Sequence, residues 1–133
     1  MFVTFRKLSR DPFPPAARTQ VLEHCFYENT RTIHLHCAVV MPEHVHLLLT
    51  PLADSDNSPL PLFRILKRIK GVSARRINQL LGTEGPVWQD ESFDHVLRST
   101  ESFSEKLEYL RQNPVRRGLS AAPETYPWLW QEP

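Results

Sequence analysis

The stretch that decides the fold is RTIHLHCAVVMPEHVHLLLT, residues 31–50. Two runs rich in β-forming residues, 31–40 and 44–50, flank Met-Pro-Glu, which predicts an antiparallel hairpin with a very short loop. Each run carries two histidines one residue apart, His34 with His36 and His44 with His46. Because side chains alternate between the faces of a strand, the two imidazoles of a pair point the same way. Such a pair can share a metal ion, or its members can simply be interfacial residues at the end of a strand.

Further elements surround this hairpin in a regular order. In chain order the patterns predict a strand in MFVTFR, a helix opened by Pro14 and Pro15, the hairpin, a helix from about 60 to 81, a strand in SFDHVLR, and a helix that starts at a Ser102/Glu105 capping box and ends at Pro114. The tail, about 119–133, is predicted to be irregular. This order predicts an α+β, ferredoxin-like βαββαβ antiparallel sheet with helices packed on it, plus an extra C-terminal helix carrying Tyr109.

Length and composition restrict the class of protein. The chain has 133 residues, of which 41% are hydrophobic and 23% charged, which predicts one globular domain over residues 1–133. No run approaches the ~20 apolar residues of a membrane span, and the N-terminus is not typical of a signal peptide. Cys25 and Cys37 have no metal-binding spacing, so we expect free thiols in a reducing compartment, the cytoplasm.

Positive charge is concentrated in one predicted helix. The net charge is only +1, but residues 60–78 contain six basic residues and no acid. On a helical projection, Arg64, Lys67, Arg68 and Arg75 fall within about 100° of arc, opposite the apolar stripe. Solvation explains many charged helix faces. A face with one sign of charge also fits a surface that follows nucleic-acid phosphates.

The histidines and a tyrosine are the candidate chemical groups. A two-residue loop at Pro42 and Glu43 would place Val39 opposite His46, leaving His34 and His36 on the other side of the sheet, which argues against a four-histidine zinc site. Near the C-terminus, Tyr109 and Asn113 are four residues apart and share one helix face, to the side of the apolar stripe. Tyr109 is either a half-buried anchor or a phenol presented to a cleft.

Five motifs, taken in order, resemble one family: MPEHVHLLL, LKRIKGVSARRIN, VWQDESFDHVLR, YLRQNPVRRGL and YPW. They are similar to the single-tyrosine HUH transposases, specifically the REP-associated tyrosine transposases, over residues 39–128. The family usually has Asn before the first histidine, where this chain has Glu43.

The resemblance implies metal-dependent cleavage and joining of single-stranded DNA at hairpin-forming repeats, through a 5′-phosphotyrosine. It implies that Tyr109 is the nucleophile, that His44, His46 and Asn113 bind Mg²⁺ or Mn²⁺, and that Arg64, Lys67, Arg68 and Arg75 hold DNA. The expected partner is single-stranded or hairpin DNA, with no membrane, for a monomer or homodimer in the cytoplasm, associated with the nucleoid. Two alternatives stay open: a non-cleaving hairpin-binding protein derived from a transposase, and a zinc hydrolase that uses His34, His36, His44 and His46.

Overall fold

The computed structural model describes all residues, 1–133, and contains five strands and three α-helices. The strands are β1 (Phe2–Lys7), β2 (Ile33–Val40), β3 (His44–Pro51), β4 (Trp88–His95) and β5 (Leu129–Gln131). The helices are α1 (Pro15–Glu28), α2 (Leu62–Leu81) and α3 (Thr100–Arg116), followed by a 3-10 turn at Pro123–Thr125. The predicted α+β class and the predicted order of the first six elements and the extra helix are confirmed.

The five strands form one antiparallel sheet in the order β4-β1-β3-β2-β5. The first four strands in this order, β4, β1, β3 and β2, are the strands that the sequence predicts. The expectation of an irregular tail is wrong for strand β5, because Leu129–Gln131 pairs with Val39–Cys37 of β2. Three residues form too short a run for an alternating pattern to be visible. The pairing exists because β2 would otherwise be an open sheet edge.

Two apolar layers cover the two faces of the sheet. Helices α1 and α2 pack on one face, in a cluster that includes Val3, Phe5, Leu47, Ile69 and Ile77, all nearly or fully buried. On the opposite face, α3 and the tail pack through Leu110 and Tyr126 against Phe2, Val39 and Leu48. The central strands β1, β2 and β3 are therefore largely covered on both sides, whereas most residues of the edge strand β4 are exposed.

The hairpin has the predicted register, with one difference. The backbone N–H of Met41 donates to the carbonyl of His44 at 2.8 Å, and Val39 lies opposite His46, as expected. The ladder then shifts between Leu35 and Cys37, so His36 is the extra residue of a β-bulge. The bulge reverses the alternation, and His34 and His36 lie on the same face as His44 and His46. The prediction that they lie on the opposite face is wrong.

Both ends of α3 differ from the prediction. The helix begins at Thr100, with the Ser99 hydroxyl as its cap accepting from the backbone N–H of Ser102 at 3.1 Å, rather than at Ser102. It also continues through Pro114 to Arg116. A proline removes one backbone N–H donor from a helix. Here the next turn still closes, because the Arg117 N–H donates to the Asn113 carbonyl at 3.1 Å.

Two smaller expectations concern the thiols and the membrane. Cys25 and Cys37 are both free, as predicted, and both are buried. Burial raises the pKa of each thiol to about 12, so neither is a ready nucleophile. None of the helices combines the length and the apolar character that crossing a membrane requires.

Candidate active site

The two histidines at the start of β3 converge on one point. Their side chains share a face of the strand, and the Nε2 atoms of His44 and His46 are 3.0 Å apart. Both residues are almost fully buried. The predicted pairing of these imidazoles is therefore present in the structure, and the nitrogens approach each other rather than pointing to separate partners.

The outer nitrogen of each ring is held by a neighbouring side chain. Thr4 lies opposite His46 on β1, and its hydroxyl is 2.7 Å from His46 Nδ1. Glu43 Oε1 is 3.1 Å from His44 Nδ1 and accepts a hydrogen bond from Arg117 at 2.8 Å. Contacts of this kind set the orientation of metal-binding imidazoles. Thr4 and Arg117 are not among the residues predicted for the site. The register of β1 against β3 could have indicated Thr4, whereas no local pattern indicates Arg117.

Burial keeps both imidazoles in the neutral form at pH 7. It lowers the pKa of His46 to about 3, helped by the charges of His44 and Arg6. Burial also lowers the pKa of His44, against the opposing effect of the Glu43 carboxylate. Burial raises the pKa of Glu43, but Arg117 outweighs this and lowers it overall. Neutral imidazoles offer lone pairs, which is the form that binds metal.

The spacing of the two Nε2 atoms fits a hexacoordinate divalent ion. Two ligands at right angles, each about 2.1 Å from one ion, are about 3.0 Å apart, the octahedral geometry that Mg²⁺ and Mn²⁺ prefer. The observed separation is 3.0 Å, a hydrogen-bond distance between the two rings that also matches this ligand spacing. Asn113, predicted as the third ligand, is buried on α3 one turn beyond Tyr109. An amide oxygen and two imidazoles leave positions for water and phosphate oxygens.

Tyr109 shares a cavity with His46. The cavity has a volume of about 490 Å³ and is lined by β1, β3, β4 and α3, with Thr4, Arg6, His46, Lys106 and Tyr109 in its walls. Tyr109 is 48% exposed, so its phenol is accessible to a large substrate. The structure thus brings together the predicted nucleophile and one predicted metal ligand. His44 and Asn113 are not among the residues that line this cavity.

Two cations flank the tyrosine ring. Lys106 Nζ lies 5.0 Å from the ring centroid of Tyr109, and the guanidinium carbon of Arg116 lies 4.3 Å from it. Arg116 also donates to the Tyr109 carbonyl at 3.1 Å. Such cation–π contacts hold the ring in place and keep positive charge next to the phenol. Neither Lys106 nor Arg116 is among the residues predicted for the site, although both belong to the same helix as Tyr109.

The predicted DNA-binding helix lies on the other side of the sheet from the histidine pair. Arg64, Lys67, Arg68 and Arg75 are all exposed on α2. Arg68 is not free, because its Nη2 is 3.2 Å from the carboxylate of Glu28, which is completely buried on α1. The acid that pairs with Arg68 thus comes from another helix, although residues 60–78 themselves contain none.

A groove connects the basic helix to the edge of the sheet. It has a volume of about 710 Å³ and runs between α2 and β4, with Phe63, Lys67 and Lys70 in its walls. Gln89 and Ser92 of β4 line both this groove and the Tyr109 cavity. The groove and the cavity therefore adjoin each other at the edge strand β4.

The remaining histidine pair forms a separate cluster. His36 Nε2 is 2.8 Å from the hydroxyl of Thr50, which lies four residues beyond His46 on β3, or about 13 Å along the strand. One ion cannot bridge that distance. The four-histidine zinc site is therefore excluded by separation, even though all four imidazoles are on one face.

Sequence comparisons identify related transposases. No protein-family model matches the chain. It is 26% identical over 101 residues to an Escherichia coli K12 protein named REP-associated tyrosine transposase, covering 74% of this chain and 56% of that protein. A Haemophilus influenzae protein provisionally given the same name is 21% identical over 118 residues, covering 85% of this chain and 64% of that protein. The chain thus spans between half and two-thirds of these curated relatives.

Structural comparison extends the likeness to almost the whole chain. A solved REP-associated tyrosine transposase bound to a REP hairpin matches with a TM-score of 0.74 at 22% identity, covering 96% of this chain and 73% of that one. A transposase-like crystal structure from Deinococcus radiodurans matches with a TM-score of 0.54 at 20% identity, covering 84% and 87%. The resemblance of this chain to the REP-associated tyrosine transposases, predicted from its motifs, is therefore confirmed.

Proposed function

We propose that residues 1–133 form one HUH transposase-like domain that cleaves and rejoins single-stranded DNA at hairpin-forming repeats. The observation that carries the proposal is the convergence of His44 and His46 beside a cavity that also contains Tyr109. The names of the curated relatives support a transposase, and the hairpin complex of the structural neighbour supports hairpin DNA as the substrate.

In this proposal His44, His46 and Asn113 hold one Mg²⁺ or Mn²⁺. The bound ion would neutralise charge on the phosphate oxygens and hold the phosphate for in-line attack. Thr4 and Glu43 keep the two imidazoles aimed at the ion, and Arg117 keeps Glu43 in place. Burial keeps both rings unprotonated at pH 7.

Tyr109 is the proposed nucleophile. As the phenolic oxygen bonds to phosphorus, the P–O3′ bond breaks, and the proton lost by the phenol is balanced by the proton that the leaving O3′ gains from water. This leaves a 5′-phosphotyrosine on the protein and a 3′-hydroxyl on the departing strand. The ester energy is retained in the phosphotyrosine, so a second 3′-hydroxyl can attack it and rejoin strands without ATP. Lys106 and Arg116, which flank the ring, are placed to pair with the phosphate oxygens.

The DNA would contact both faces of the domain. Arg64, Lys67 and Arg75 would hold the backbone along α2, and the exposed ring of Phe63 offers a surface for base stacking. The strand would then pass the edge strand β4 to the Tyr109 cavity. A cytoplasmic, nucleoid-associated location follows from this partner.

The test is a covalent adduct assay with single-stranded hairpin DNA of the REP type and Mn²⁺. Wild type is expected to form a protein–DNA adduct that survives denaturation. Tyr109→Phe is expected to form none, because phenylalanine has no nucleophilic oxygen. Tyr27→Phe is the matched control, since Tyr27 is also half-exposed, at 50%, but lies on α1. An adduct of equal yield in Tyr109→Phe would refute the proposal.

A second candidate is a DNA-binding protein that no longer cuts. The placement of α2 favours it, because the basic helix can grip DNA on a face that contains none of the proposed catalytic residues. This candidate predicts that wild type binds hairpin DNA but forms no adduct with any divalent ion. It also predicts that His44→Ala/His46→Ala binds the hairpin as tightly as wild type.

A further inference from the structure

A second histidine cluster lies on β2, apart from the proposed catalytic site. The β-bulge at His36 turns the rings of His34 and His36 to one face of the sheet, with their centroids 4.3 Å apart. His36 also packs edge-on against Phe103 of α3, at 5.1 Å between ring centroids. An ordinary strand would place these two side chains at the same spacing but on the face covered by α1 and α2.

The last strand of the chain brings a carboxylate to these rings. Because β5 pairs with β2, Glu132 follows directly and donates its backbone N–H to the His36 carbonyl at 3.0 Å. Its carboxylate then lies between the imidazoles, with one oxygen 2.6 Å from His34 Nε2 and the other 2.7 Å from His36 Nδ1. One ligand atom from each of the three residues lies within 4.8 Å of the others.

Two imidazoles and one carboxylate are the donor set of many transition-metal sites. Tetrahedral ligands about 2.1 Å from a zinc ion are about 3.4 Å apart, so small side-chain rotations would admit the ion. His34 is 54% exposed and can make that rotation, while water can reach the open coordination position. The far nitrogen of His36 is already held by the Thr50 hydroxyl at 2.8 Å, which is the outer contact that orients a metal-binding imidazole.

We propose that His34, His36 and Glu132 bind one Zn²⁺, and that this ion holds the C-terminal strand β5 against β2. Two imidazole nitrogens and a carboxylate favour Zn²⁺ over Mg²⁺. The site is separated from the proposed catalytic pair by about 13 Å along β3. It uses none of the residues proposed for DNA cleavage, so its test does not depend on that proposal.

The bound Zn²⁺ would also restrain α3, the helix that carries Tyr109. Arg111, two residues beyond the tyrosine, donates to Gln131 at 2.8 Å and to Glu124 at 2.8 Å, so α3 is tied to the tail on both sides of Trp128. Gln131 is adjacent to the proposed ligand Glu132 in the chain. Holding β5 in place therefore also holds Gln131, the residue to which Arg111 donates.

The experiment uses the full chain with His44→Ala/His46→Ala, so that zinc cannot bind at the proposed catalytic pair. Zn²⁺ alone is titrated, with calorimetry and native mass spectrometry as readouts, and thermal unfolding is followed with and without saturating Zn²⁺. We expect one Zn²⁺ per chain and a rise of at least about 5 °C in the melting temperature, because an ion that binds only the folded chain stabilises it. Mg²⁺ at the same concentration should cause no such rise.

Further substitutions in that background locate the ion. Glu132→Gln keeps the size of the side chain and is expected to weaken Zn²⁺ binding at least tenfold and remove the thermal shift. His34→Asn is expected to have the same two effects. The side chain of His34 is half-exposed, so this substitution should leave the fold intact. His95→Asn is the matched control, since His95 is exposed on β4 outside the cluster. Absence of Zn²⁺ binding in the His44→Ala/His46→Ala chain, or equal binding in both cluster variants and the control, overturns the proposal.

Discussion

Glu43 shows how one residue can connect three parts of the site. It directly precedes His44 in the hairpin loop, and its carboxylate contacts both the His44 ring and the guanidinium of Arg117, which follows α3. The resembled family usually has Asn at this position, which could accept from the ring but could not form the ion pair. Glu43 therefore links the metal-binding strand to the helix of the proposed nucleophile.

At the residue scale, Glu43→Gln is predicted to weaken Mn²⁺ binding by about tenfold, in the range found when outer contacts of metal ligands are removed. The amide still fills the space, but it no longer makes the His44 ring more basic or pairs with Arg117. Free Mn²⁺ counted by electron paramagnetic resonance during a titration measures the change. Glu108→Gln on the exposed surface of α3 is the control. Equal Mn²⁺ affinity in Glu43→Gln and wild type would contradict the role given to Glu43.

At the scale of elements, α2 has two kinds of basic residue. Arg75 is exposed and forms no ion pair, whereas Arg68 reaches over to Glu28 on α1. Glu28 is fully buried and accepts a hydrogen bond from Thr32 at 2.5 Å, while its other oxygen has no hydrogen-bond partner. That oxygen depends on the charge of Arg68, with His24 at 3.7 Å as a further neighbour. Arg68 therefore stabilises the packing of α1 against α2.

Arg68→Ala is predicted to lower the free energy of unfolding by about 1–2 kcal/mol, because it leaves a buried carboxylate without its cation. The loss is smaller than for a fully buried pair, since the exposed guanidinium is screened by solvent. Arg75→Ala is predicted to change it by no more than about 0.5 kcal/mol and to weaken only DNA binding. Urea unfolding and hairpin-DNA binding, measured on both variants, separate the two roles. Equal stability of the two variants would show that the Arg68–Glu28 contact is not stabilising.

At the scale of the whole molecule, three histidines are buried without charge. Burial is the main cause that lowers the pKa of His24, His44 and His46 below the usual 6.5. As the pH falls through 6.5, the unfolded chain takes up protons that the folded chain does not. The free energy of unfolding therefore falls with pH in this window. Carboxylates such as Glu43, with a lowered pKa and an ordinary value of 4.5, add a further loss only at lower pH.

Stability is therefore predicted to be lower at pH 5.0 than at pH 7.5, with His46 alone contributing about 2 kcal/mol. Urea midpoints measured in the presence of a chelator test this without interference from bound metal. His46→Gln should reduce the difference between the two pH values, whereas His95→Gln on the exposed edge strand should leave it unchanged. A midpoint that does not depend on pH between 7.5 and 5.0 in wild type would contradict the prediction.

Local sequence patterns were sufficient to predict the three helices, the first four strands and most of the candidate site residues. The short Met-Pro-Glu connection set the hairpin register, so the pairing of Val39 with His46 could be predicted and is confirmed. The apolar stripe of α2 predicted which of its faces is buried. Tyr109 and Asn113 were found by their spacing on one helix, and their roles in metal binding and DNA cleavage stay proposals that the adduct assay tests.

Long-range packing decided the rest. The bulge at His36 depends on how β2 meets β3, and strand β5 exists because an uncovered edge of β2 accepts three residues of the tail. The contact between Glu43 and Arg117 joins positions 74 residues apart, and the placement of α2 on the face opposite the histidine pair follows from sheet topology. The sequence by itself determined the periods, caps and short turns, because these depend on neighbours within a few residues. Only the tertiary structure decided which faces and side chains meet, because those contacts depend on the register and order of strands distant in the chain.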